Sequence, residues 1–199
     1  MVLARVGTDY DAAYFVLGSI APDCFDREDN ESFRTYHFVQ DNAEPDLEVF
    51  LKGTHLARQG HALETLSFVA GYYSHLWLDI FFRTHADALK VINPRNLPPD
   101  ELRTLLRANI EEYDLTDSAT FLGAIREPSS LFEPIVGLEF ISLDCAVRLL
   151  HQLTESIRGI ENRHPLPVAI SRNDYVHFLA GAVDRFVTVL GELDRMNVT

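Results

Sequence analysis

Cysteine is scarce in this sequence. Only Cys24 and Cys145 occur in 199 residues, which excludes both a disulfide framework and a metal site built on a CxxC pair. Positive charge is also short, with 17 Lys and Arg against 30 Asp and Glu and a formal net charge of −13. Such a surface repels phosphate backbones and anionic headgroups, so neither a nucleic-acid partner nor stable membrane association is expected, while small-molecule ligands stay open. Long apolar runs are missing as well. No stretch approaches the roughly 18 residues of a membrane span, and Met1 to Tyr10 lacks the apolar core of about seven residues that a signal peptide needs. These absences together lead to the expectation of a cytoplasmic protein in a reducing compartment. Serine nucleophile elbows, phosphate-cradling glycine loops and dinucleotide fingerprints are absent too.

What is present is 47% hydrophobic content, enough for one sizeable core, and no shift in composition asks for a second domain. The expectation is one domain over residues 1–199. Apolar residues recur at helical spacing and nothing alternates for long at period two, so the fold class is all-α. Gly60 to Arg83, with Leu63, Leu66, Val69, Leu76 and Ile80 at three- and four-residue intervals, reads as a central helix buried on most sides. A second helix begins at Asp100, after Pro98 and Pro99, where proline suits a first turn and acids suit the positive end of the dipole. Leu138 to Ile160 and Asn173 to Leu193 are two more, the latter amphipathic through Phe178, Val183, Phe186 and Leu190. Asn93 to Pro99 and Asn162 to Pro167 are proline-rich breaks. Asp23 to Asn42 reads as a long irregular segment with a short helix near Phe33 to Val39, and long segments of that kind are often functional.

On the central helix His75 and Asp79 stand at i and i+4, one turn apart on one face. Imidazole nitrogen and carboxylate oxygen suit zinc, iron or manganese, but two side chains leave a divalent ion short of its usual four ligands. Alone, the pair reads equally well as hydrogen-bonded neighbours on a helix face. His55, His61, His164 and His177 read as solvated or structural, and Tyr72, Tyr73 and Trp77 as core aromatics. The acidic run Asp26, Glu28, Asp29 and Glu31 reads as a solvated loop. Cys24 has no basic neighbour to lower its pKa and is not read as a nucleophile.

The wider pattern is more specific. Phe15-Val16-Leu17-Gly18-Ser19-Ile20-Ala21-Pro22-Asp23, then His37 fourteen positions later, then Gly71-Tyr72-Tyr73-Ser74-His75 with Asp79 and His85 as His-x3-Asp-x5-His, resembles the zinc-dependent phospholipase C family. The resemblance covers roughly residues 15 to 87. It implies a helical bundle of the phospholipase C/P1 nuclease type and a divalent metal, zinc foremost with iron or manganese as alternatives. It also implies metal ligands at Asp23, His37, His75, Asp79 and His85, the first four around one ion and His85 at another. Asp23 is the implied catalytic residue, either binding the ion or taking the attacking water's proton. A small phosphoester is the implied substrate.

The chain departs from the family at the other ions. The family's amino-terminal tryptophan and histidine have no counterpart, since the only tryptophan is Trp77 and no histidine precedes His37. A start codon assigned too far downstream is the expected explanation. The family's His-x3-Glu pair, fourteen positions beyond the residue matching His85, is met here by Pro99, and the nearest such pair is His151 and Glu155. Three functions follow: a metal-dependent phosphoesterase with a reduced metal count, a helical protein that keeps a metal for stability, and a metal-free interaction module.

Overall fold

The computed structural model describes residues 10–25, 30–40, 44–54, 62–118, 138–139, 141–160 and 166–196. Among them are seven α-helices and no strand. They are α1 (Ala12–Ile20), α2 (Asn30–Tyr36), α3 (Leu47–Thr54), α4 (Leu63–His85), α5 (Pro99–Ser118), α6 (Leu143–Arg158) and α7 (Arg172–Met196). Short 3-10 turns follow α1 at Ala21–Asp23 and α4 at Ala86–Ala88. The all-α expectation holds. His55, His61, His164, Asp26, Glu28, Asp29 and the opening nine residues lie outside the described residues.

The central helix α4 is enclosed along most of its length, burying ten residues from Ser67 to Phe81. Its most extensive contact is with α1, and both helices have given up side chains to make it. A Cβ placed on Gly18 would lie 1.9 Å from the Phe68 carbonyl oxygen, and one on Gly71 would lie 2.0 Å from that of Phe15. Only glycine at both positions lets the two backbones approach this closely. Asp11 caps α1 by accepting from the amides of Ala13 and Tyr14, and its own amide donates to Ser67 Oγ on α4 at 2.7 Å. That cap sets the axial position of α1 on α4 as well as starting α1.

On the other side, Phe50 of α3 stacks on Tyr72 at 5.3 Å, and Tyr73 and Trp77 meet Phe186 of α7. Tyr72 and Tyr73 are core residues, and Trp77 packs at the core's edge. Pro99 opens α5, one residue before the acid-rich start expected from the sequence. The sixth helix begins at Leu143 rather than Leu138. Leu138 instead drops into the core as a buried side chain ahead of Ser142. Helix α3 had no counterpart among the helices expected from the sequence. Its start is capped by Asp46, which accepts from the amides of Glu48 and Val49.

Candidate metal centre

Helix α2 ends in a way that places His37. The Val39 amide donates to the Arg34 carbonyl at 2.8 Å and the Phe38 amide to that of Thr35 at 3.3 Å. This is the Schellman closure, with His37 at the C-cap and Phe38 as the left-handed residue, φ 53°. Glycine is usual there, and a large residue in that conformation costs of order 1–3 kcal/mol. The cost is offset by packing of the Phe38 ring against Phe50 and Tyr72 at 5.1 and 6.1 Å. The Tyr72 hydroxyl also donates to the Tyr36 carbonyl, tying the end of α2 to α4.

Thus fixed, His37 is buried with its ring between Phe33, stacked at 4.3 Å, and Phe25, edge-on at 5.4 Å. Its Nδ1 faces the Phe33 carbonyl at 3.2 Å. A carbonyl only accepts, so Nδ1 carries the proton and Nε2 is left with its lone pair. His75 repeats the arrangement, its Nδ1–H donating at 2.9 Å to the Ser19 carbonyl at the end of α1. The two rings lie 5.4 Å apart.

Both Nε2 atoms then face carboxylates. His37 Nε2 is 4.0 Å from Asp23 Oδ1 and 3.8 Å from Asp79 Oδ2, and His75 Nε2 is 3.6 Å from the same Asp79 oxygen. Donor atoms of Asp23, His37 and His75 all fall within 4.8 Å of one another. Asp79 lies beside this trio, its Oδ2 within 3.8 Å of both Nε2 atoms. Zinc bonds of about 2.0–2.2 Å in a tetrahedron put neighbouring donors roughly 3.3–3.6 Å apart, at or inside the 3.6–4.0 Å nitrogen–oxygen separations here, so an ion would have to draw these groups slightly together. Backbone carbonyls holding the outer ring nitrogens are the usual support for metal-ligating histidine.

The pKa of His37 is lowered, first by burial and then by the nearby His75, with Asp79 and Asp23 pulling the other way. The neutral imidazole that a metal requires is therefore favoured. Burial and the neighbouring Cys145 push the Cys24 thiol far up, outweighing the opposite pull of Arg148, a basic neighbour not expected from the sequence, so the thiol is not activated as a nucleophile.

His85 is not brought into this cluster. It closes α4 ten residues beyond His75, about 15 Å along an unbroken helix. Its ring stacks on Phe81 at 4.2 Å and its Nε2 accepts from Arg185 Nη1 at 2.9 Å. On α6, Glu155 pairs with Arg158, and among the described residues no second group of three ligands gathers around His85 or His151. The sequence carried no signal for the Arg185 contact, made across 100 positions, nor for the aromatic pair beside His37.

A family model described as "Zinc dependent phospholipase C" matches residues 7–119, more than half of the chain. The protein belongs to the zinc-dependent phospholipase C family. The match extends past the motif that suggested it and takes in α1 through α5. The family is zinc dependent, and its description implies a phosphoester substrate. No helix among the described residues is long and apolar enough to cross a membrane. No curated protein and no solved structure matches the chain.

Proposed function

We propose that this zinc-dependent phospholipase C relative is a hydrolase of small phosphoesters that holds one divalent ion, zinc foremost, on Asp23, His37, His75 and Asp79. The observation that carries the reading is the paired orientation of the histidines. Each spends its Nδ1–H on a main-chain carbonyl and turns Nε2 towards the carboxylates. An ordinary hydrogen-bonded His–Asp pair would instead donate its ring N–H to the acid.

When bound, zinc brings a water's pKa towards about 7 and neutralises developing negative charge. The protein's own part is positional. His37 is held on three sides by Phe33, Phe25 and the end of α2, and His75 by the α1 carbonyl, so neither ring reorients during a turnover. Asp23 and Asp79 have side chains 51% and 39% exposed, against 4% for His37. The carboxylate side of the cluster therefore faces water, which favours catalysis over a closed structural site. In this reading Asp23, on the short turn after α1, holds the ion and also takes the proton of an attacking water. Asp79, facing both imidazoles, balances the charge of the ion.

The test is hydrolysis of p-nitrophenyl phosphate and bis(p-nitrophenyl) phosphate by zinc-reconstituted protein, with Asp23→Asn and His75→Ala beside it. Turnover that both variants lose supports the reading. A fully zinc-loaded protein inert towards mono- and diesters would reduce the ion to a structural one.

A further inference from the structure

Arg185 on α7 donates from Nη1 to His85 Nε2. Guanidinium is a donor only, so this His85 nitrogen accepts and the ring proton sits on Nδ1. There it is met by Thr84 Oγ1 at 2.7 Å and the Phe81 carbonyl at 3.1 Å. The His85 ring lies nearly parallel to Phe81, at 10°, and the guanidinium carbon is 5.6 Å from the centre of the same Phe81 ring. The nitrogen through which His85 would reach a metal is thus taken by a fixed cation.

Arg185 is exposed, and among the described residues no carboxylate pairs with it. In a chain of net charge −13 an arginine is easily matched with an acid, yet this one is matched with a neutral imidazole and an aromatic face. Four of its five N–H donors are not used by His85. A guanidinium bonded to an imidazole and lying over an aromatic ring, on an exposed residue, keeps donors for a tetrahedral oxyanion.

We propose that Arg185 is a phosphate-binding residue at a subsite apart from the metal cluster, and that His85 positions its guanidinium rather than ligating a metal. The ligand is a phosphate dianion, either free or as the terminal group of a phosphomonoester. The subsite rests on its own geometry and does not require the cluster to be catalytic.

The test follows the Arg185 Nε–H resonance of the full-length protein by NMR during titration with inorganic phosphate, then with glycerol phosphate. A saturable shift is expected, with affinity falling roughly ten- to hundredfold in Arg185→Met, the loss of charge-assisted hydrogen bonds. There the remaining binding is followed calorimetrically. Arg185→Lys, which keeps the charge without the fork, is expected to fall between, and it decides the matter if the methionine variant does not fold. His85→Gln is expected to weaken phosphate binding while leaving metal content at the wild-type level. Binding of both ligands assigns the subsite to an organic phosphate, and binding of inorganic phosphate alone to the free ion. Wild-type affinity in Arg185→Met, no saturable binding in the wild type, or loss of metal in His85→Gln would each overturn the proposal.

Discussion

The His75 ring donates its Nδ1–H to the main-chain carbonyl of Ser19, 56 positions earlier, at 2.9 Å. That bond spans the α1–α4 crossing, and it exists because Gly18 and Gly71 remove the side chains that would hold the backbones apart. The direction of the His75 ring is therefore set by the close approach of two glycines.

Gly71→Ala is the direct consequence. Its methyl would meet the Phe15 carbonyl at 2.0 Å, a backbone atom that cannot rotate away. Overpacking of this kind costs about 1–3 kcal/mol or more. The expected result is a lower urea midpoint together with weakened metal binding, because the Ser19 carbonyl must retreat from His75. Gly53→Ala, on α3 with nothing within 4 Å of the added Cβ, is expected to leave metal binding unchanged and, if anything, to raise the urea midpoint through helix propensity.

Asn109 separates stability from site chemistry. Buried on α5, it donates to the Pro167 carbonyl at 3.1 Å and accepts from the Ala169 amide at 2.7 Å, pinning the segment before α7. Asn109→Leu leaves both partners unsatisfied, at about 1–3 kcal/mol each when buried. Chemical denaturation is expected to register that loss while metal stoichiometry of the folded protein stays at the wild-type value. A fall in stoichiometry would mean that the segment before α7 supports the cluster.

How much of this was legible in the sequence differs from residue to residue. The i, i+4 spacing of His75 and Asp79 could be read directly, because helix geometry converts spacing into a shared face. The Asp23 to His37 spacing could be matched to a family pattern, but no regular element predicts it from first principles. It works through a 3-10 turn and a Schellman closure whose left-handed residue is Phe38, and no glycine announces it. Main-chain carbonyls orient both histidines, and since every residue carries a carbonyl, composition holds no trace of which one serves. Helix α3 was missed because it is only eight residues long, too short for the spacing of Leu47, Phe50 and Leu51 to stand out, although Asp46 ahead of it is a readable cap. Leu138 misled in the opposite direction, its burial serving the core from outside a helix.

The pH dependence of the metal-free protein follows from His37. Its folded pKa is depressed below the ordinary 6.5, chiefly by burial. The unfolded chain therefore binds the proton more readily, so the neutral ring contributes stability that is fully present above about pH 6.5. That contribution is lost as pH falls through the lower, folded value. Urea midpoints of chelated protein are expected to drop between neutral and mildly acidic pH, and His37→Gln is expected to flatten the drop. An unchanged slope in that variant would assign the effect to other groups.

Asp79→Asn keeps the shape of the side chain and removes its charge. With Oδ2 within 3.8 Å of both imidazole Nε2 atoms, the carboxylate is the group shared by the two histidines. Zinc affinity is expected to fall at least tenfold, read by competition with a chromophoric chelator, with helicity by circular dichroism unchanged. Wild-type affinity in this variant would remove Asp79 from the ligand set.

The most direct measurement is elemental analysis of the purified, untagged protein by plasma mass spectrometry, with His75→Ala in parallel. The account predicts one zinc, iron or manganese ion per chain in the wild type and its loss in a variant that is still helical. A wild-type protein without metal even after reconstitution, or a variant that keeps the full complement, would contradict it.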